Sequence, residues 1–326
     1  MFAAMGLAAA LVMTHYVPSS APATLGVQQV GSDWAVPPPP PGFTLEDTGA
    51  ALRFGNDALD RSSYAEALYW YRAAADQGEE WAQFNLGNMY YSGQGVPQTY
   101  PEAARWFRLA AVQGLAQAQF NLGHMYRDGQ GVPQNSAEAV RWFRLAADQG
   151  DAGAQNNLGL MYADGQGVTQ DYTEAARLFR LAAEQGEAVG QNNLGLRYLN
   201  GQGVPQSDLE AIRWFRLGAE QGDAKSQANL ASMYAEGQGV PQNYTEAVRW
   251  YRLSADQGES SAQNNLGVMY ANGHGVPKND VEAYKWFSLS AAQRRDVVSN
   301  RDAAAARLTP AQLAEGQRLA AEWRPR

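Results

Sequence analysis

The chain of 326 residues has no cysteine, only three histidines, and no lysine or arginine before Arg53. Zero cysteine removes disulfides, thiolate zinc sites and cysteine nucleophiles together, but leaves the compartment open, since disulfide-free proteins occur on both sides of a membrane. The histidines, His15, His124 and His274, share no metal-ligand spacing. No Gly-x-Ser-x-Gly elbow occurs and no Ser, His and Asp set can be nominated, so no catalytic residue, metal or cofactor is assigned and the chain is read as non-enzymatic. Positive charge is also short, with 25 Lys and Arg against 33 Asp and Glu and a formal net charge of −8. Nucleic acid and anionic lipid select basic faces, so neither is expected as a partner.

The leading apolar run, "MFAAMGLAAALVM", is shorter than the ~20 residues a transmembrane helix needs. No integral membrane span is expected. Followed by "APA" at 21–23, residues 1–23 read as a signal peptide that lacks the usual basic start. Export to the periplasm or beyond is the expectation, with a cytoplasmic protein as the alternative. Residues 24–47 hold five consecutive prolines in "VPPPPPGF", which fix φ, remove backbone donors and favour a stiff linker.

What the chain has in abundance is repetition. "GQGVPQ" at 93–98 returns at 129–134, as "GQGVTQ" at 165–170, again at 201–206 and 237–242, and as "GHGVPK" at 273–278. A phosphate-cradling loop occurs once, after a strand and with a third glycine or a Gly-Lys-Ser/Thr ending, so these six loops read as structural. Fixed-period self-similarity divides 79–294 into six units of 36 residues, the signature of a solenoid.

In the first unit Ala82, Leu86, Met89 and Tyr90 form one stripe of a helix. Gly87 interrupts it at a cost of ~1 kcal/mol relative to Ala. It recurs as Gly123, Gly159, Gly195 and Gly267, with Ala231 as the exception, so a close approach by a neighbouring helix is predicted. A second helix starts after the loop. Thr99, Asn135, Asp171, Ser207, Asn243 and Asn279 are N-cap types, and three residues on stand Glu102, Glu138, Glu174, Glu210, Glu246 and Glu282, predicting a capping box each time. Each Glu also precedes a base by three residues, a weak exposed pair. Ala103, Trp106, Phe107, Ala110 and Ala111 give the buried face, and Gly114 ends the helix.

The pattern "A-Q-x-N-L-G-x-M-Y…G-Q-G-V-P-Q…E-A-x-R-W-F-R-L-A-A-x-Q-G" resembles the Sel1-like repeat family, relatives of the tetratricopeptide repeats. The resemblance implies an all-α fold, an α/α solenoid of six helix-loop-helix repeats. A tetratricopeptide-like helical cap is expected at 48–78 and capping helices at 295–326, where Thr309, Pro310 and Gln312 mark a helix start. Leu178 for Trp, Arg197 for Met, Thr169 for Pro and Gly218 for Ala depart from the pattern and are expected to loosen the third and fourth repeats. The cysteine-rich Sel1-like proteins linked to β-lactam hydrolysis are not what this chain resembles.

The family resemblance also implies non-catalytic protein binding, as an adaptor or scaffold, along a concave face lined by first helices; in bacteria such proteins are associated with envelope assembly, signalling and host contact. Comparing the units shows that first-helix positions 81, 84, 88, 91 and 92 vary freely. In the first two units they gather Trp81, Phe84, Asn88, Tyr91, Phe120, His124 and Arg127, an aromatic cluster with one basic group. Aromatics and Arg dominate binding hot spots, so this patch is the candidate site for a protein or peptide partner. The bland reading is that Trp81 and Phe84 pack on the cap. A cell-wall glycan or peptide is the alternative ligand, and an unrecognised hydrolase the third reading. The fixed Asn at 85, 121, 157, 193, 229 and 265 either holds a ligand backbone or satisfies the adjoining repeat; its indifference to position favours the second.

Overall fold

The computed structural model describes residues 47–325, and all regular structure among them is helical. The leader, 1–23, and the linker as far as residue 46 lie outside the described residues. Helices come in antiparallel pairs. The cap supplies α1 (Thr48–Asp60) and α2 (Tyr64–Ala75), and the first two repeats α3 (Glu80–Ser92), α4 (Tyr100–Val112), α5 (Ala116–Asp128) and α6 (Ser136–Asp148). The third and fourth give α7 (Ala152–Asp164), α8 (Tyr172–Glu184), α9 (Ala188–Asn200) and α10 (Asp208–Glu220). The fifth and sixth give α11 (Ala224–Glu236), α12 (Tyr244–Asp256), α13 (Ser260–Asn272) and α14 (Asp280–Ala291). After a 3₁₀ turn, α15 (Val298–Ala305) and α16 (Pro310–Glu322) close the array, both packed on α14.

From α2 to α14 each helix packs on the one before and the one after it, and first helices of adjacent repeats also touch, α7 with α9 and α9 with α11. Around α7, α9 and α11 the first helices are therefore the more closely spaced layer. Buried clusters run across repeat boundaries: Phe107 of α4, Leu122 and Met125 of α5 and Trp142 of α6 share one core. Burying such a side chain stabilises by ~1.5–3 kcal/mol, a gain no single helix pair can collect alone.

Gly87 is the point of closest approach within a repeat. A Cβ there would stand 2.5 Å from the Phe107 ring, and the same contact recurs at Gly123 with Phe143 and at Gly267 with Phe287. The Ala231 exception coincides with a change of ring: Tyr251 replaces Phe, and its hydroxyl lies 2.8 Å from Ser232 Oγ. The loop glycines have two tasks. Gly93, at φ 73°, ends α3 in the left-handed conformation, and a Cβ on Gly131 would run into the Tyr100 backbone of the preceding repeat. The phrase that opens each loop is thus an inter-repeat seat, with Val96 and Val132 tucked into the cores beneath.

The caps correct one expectation. Asn135, Asp171, Asn243 and Asn279 each accept two N–H bonds of the following turn, and Ser207 accepts one. The reciprocal bond from Glu is absent at these helices, and a complete capping box forms only at Thr309 and Gln312 among the described residues. The cap residue's own N–H is already taken: Asn135 N donates to Tyr126 O at 2.8 Å and Asp171 N to Tyr162 O at 3.0 Å, a bond repeated in every unit. The glutamates turn to the base three residues on, as Glu174 does to Arg177 at 2.7 Å.

Nor are the departing residues uniformly loose. Leu178 is 2% exposed, and the space left by Gly218 is filled by the Ser226 side chain of the next repeat. Arg197 fits least well. Its guanidinium lies over the Tyr172 and Phe179 rings at 5.7 and 5.9 Å, burial lowers its pKa, and Nε meets no acceptor among the described residues.

Candidate functional site

The seven candidate residues lie on α3 and α5 at the start of the array, and the structure brings them together in two groups. Trp81, in the first turn of α3, is 41% exposed and meets Phe84 edge-on at 6.0 Å between ring centroids. Phe84 rests in turn on Phe107 at 5.8 Å. One repeat on, Phe120 and His124 meet edge-on at 4.5 Å, and both contact Phe143, at 6.0 and 5.1 Å. The groups are joined by amides, with Asn121 Nδ2 donating to Asn88 Oδ1 at 3.5 Å. Tyr91 sits further along, its hydroxyl donating to Gln130 Oε1 at 3.0 Å and its ring 5.2 Å from Tyr100. Burial pushes the Tyr91 hydroxyl up to about 12.

Two polar members of the patch are committed inside the array. The Arg127 guanidinium grips both Asp128 carboxylate oxygens, at 2.8 and 2.9 Å, and donates to Asn157 Oδ1 of the next repeat at 2.9 Å. His124 is held neutral; burial between aromatic rings, helped by the charge of Arg127, lowers its pKa to about 4. The chemistry on offer is apolar contact and amide hydrogen bonding. Among the described residues no group of three or more His, Asp or Glu could hold a metal ion.

The column of fixed asparagines turns out to join repeats. Asn193 and Asn229 donate to Asn156 and Asn192 of the preceding repeats at 2.8 Å, Asn265 donates to Tyr251 at 3.2 Å, and Asn300 of α15 continues the ladder onto Asn264. Asn156 and Asn192, read from sequence only as variable groove positions, are buried acceptors of this ladder. A second ladder runs beside it, in which Gln113 Nε2 bonds both Gln83 Oε1 and the Gly78 carbonyl of the preceding unit at 2.9 Å. Gly153 is a further part of the groove that the repeat comparison missed. Its missing side chain leaves room for the Phe120 ring, which a Cβ would approach to 3.1 Å. The signal was present as the unusual glycine at a position held elsewhere by Trp81, Gln117 and Val189.

The Sel1 repeat profile matches seven segments, 48–79, 82–115, 116–151, 152–187, 188–223, 224–259 and 260–294. The first falls on the segment expected as a tetratricopeptide-type cap. It lacks the glycine loop but keeps the repeat's internal contact, Gly55 against the Tyr71 ring, so the array counts seven repeats where the loop alone marks six. A Sel1 repeat protein from Oxalobacter formigenes is 34% identical, with a TM-score of 0.69 over 74% of this chain and 96% of its own. A protective antigen present in uropathogenic Escherichia coli and displaying an SLR fold is 25% identical over 86% and 94%, with a TM-score of 0.43. A putative sel1 repeat protein from Klebsiella pneumoniae is 23% identical over 62% and 99%, also at 0.43. No protein with a curated description matches the chain. With seven tandem matches from residue 48 to 294 and a helical array to carry them, the chain belongs to the Sel1 repeat family.

Proposed function

We propose that this chain is a non-catalytic adaptor that binds a protein or peptide along its inner, first-helix face, at the patch formed by Trp81, Phe84, Asn88, Tyr91, Phe120, His124 and Arg127. Sel1 repeat proteins are generally protein-interaction scaffolds, which supports the class of function. The observation that supports the place is Trp81. Most fixed side chains of the first helices are spent on the core and the amide ladders, whereas this indole stays 41% exposed beside Phe84. An exposed aromatic next to a rigidly packed one buries large area on binding at little cost in side-chain freedom. Arg127, being tied to Asp128 and Asn157, acts here by holding the second and third repeats in register.

Affinity capture from the native source, with the wild-type chain and a Trp81→Ala variant in parallel, tests this reading. A protein retained by the first and lost by the second is the expected result. Equal retention by both would remove the patch from the account, and retention only on isolated cell wall would replace the protein partner by an envelope ligand. Export is part of the same proposal, resting on the leader at 1–23, and N-terminal sequencing of the native protein checks it.

A further inference from the structure

The face built from second helices repeats one arrangement of charge five times and breaks it once. Between α4 and α6 lies a cleft of about 580 Å³. Tyr126 and Trp142 form its floor, Arg108 and Val112 one wall, and Glu138 and Arg141 the other. The same repeat positions recur between every neighbouring pair of second helices from α2 to α14. In five of the six, two bases face two acids, the second acid being Asp76, Asp148, Glu184, Glu220 or Asp256 at the end of the earlier helix. Here that residue is Val112, and it is 66% exposed.

The structure shows what the missing acid does elsewhere. Asp76 pairs with Arg72 at 3.0 Å while Arg72 lies over the Trp106 ring at 5.1 Å. Asp148 reaches the next repeat: the Arg177 guanidinium is held protonated first by its bond to Glu174 and also by the field of Asp148. In the α4/α6 cleft neither service is available. Among acids Arg141 pairs with Glu138 alone, at 3.4 Å and with its own side chain 63% exposed, a pairing of little strength, and its guanidinium lies over the Trp142 ring at 5.2 Å. Arg108 directs Nη2 at the Tyr126 hydroxyl, and a guanidinium has five N–H donors. Beneath them Trp142 is 5% exposed and its indole N–H meets no acceptor among the described residues. Trp106 and Trp214 share that feature, so what singles this cleft out is its charge and its valine.

We propose that the α4/α6 cleft is a second docking site, on the opposite layer from the first, which takes an acidic peptide segment. A carboxylate side chain of the peptide sits between Arg108 and Arg141, in place of the acid that the other clefts carry, and an apolar neighbour covers Val112 and the edge of Trp142. Planar guanidinium groups suit carboxylates, and two of them from adjacent repeats fix its position. The chain carries −8 overall, so an acidic segment is repelled from most of the surface and selects this cleft.

The test is a fluorescence-polarisation titration of the full chain with a labelled, end-blocked heptapeptide carrying one glutamate between two leucines, and with its glutamine counterpart. The glutamate peptide should bind saturably, the glutamine peptide at least tenfold more weakly, and raised salt should narrow the gap. Val112→Asp, which restores the acid at an exposed position, should weaken the glutamate peptide at least tenfold with helicity unchanged, whereas Val112→Leu should bind like wild type. The proposal is overturned if the two peptides bind alike, if Val112→Asp binds as wild type does, or if the glutamate peptide shows no saturation up to millimolar protein.

Discussion

Gly218 and Ser226 behave as one packing unit, because the hydroxymethyl of one occupies the space left by the other across the boundary between α10 and α11. Ser226 is fully buried and its Oγ has no partner among the described residues. Gly218→Ala alone should overpack this contact and destabilise by ~1–3 kcal/mol. Adding Ser226→Ala removes the obstruction and the unpaired hydroxyl and restores the Ala and Ala pair found at Ala110 and Ala118, so the double variant should exceed the wild type by about 1 kcal/mol. Urea midpoints of the three proteins check the sign reversal. His124 makes a second residue-level prediction. An unfolded histidine takes its proton near pH 6.5 and this folded one only near about 4. Between those values the unfolded state binds more protons, so the stability present at pH 7 falls as pH drops from 6.5 to 4, by on the order of 3 kcal/mol. His124→Leu, the residue found at 160 and 196, should lose that component of the pH dependence, read as the difference between wild-type and variant denaturation curves.

At the scale of elements, the helix starts separate what a cap pattern shows from what it leaves out. Asn135 accepts two N–H bonds at the start of α6, so Asn135→Ala should cost about 1 kcal/mol locally. Thr99 matches the same pattern, but its Oγ1 donates to the Pro97 carbonyl at 2.8 Å, so Thr99→Ala should cost less than half as much. Amide hydrogen exchange in the first turns of α6 and α4 measures the two side by side. The unit period, the buried stripes, the Gly87 approach and the terminating glycines were all legible, since each is set by residue type at a fixed spacing. The missing capping boxes were not. They depend on a bond between Asn135 N and the Tyr126 carbonyl, two backbone atoms that carry no side-chain signature. The repeat at 48–79 was legible as helical but not as a full member of the array, because its turn, with Ser62 at φ 58°, replaces the glycine phrase.

For the molecule as a whole, two faces emerge with different chemistry: a layer of first helices that presents Trp81 and Phe84 near its start, and a layer of second helices with balanced charge interrupted at Val112. The composition of the first-helix patch was legible, since Trp81, Phe84, Phe120 and His124 stand at positions that vary while their neighbours do not. Its electrostatics were not, because the tie from Arg127 to Asn157 crosses between repeats and no spacing within one unit reveals it. The most direct test of the account is hydrogen exchange of the full chain with and without the protein that wild type captures and Trp81→Ala does not. Protection concentrated in α3 and α5, over 80–92 and 116–128, is the predicted footprint. Protection confined to the second helices, with α3 and α5 exchanging as in the free chain, would contradict it.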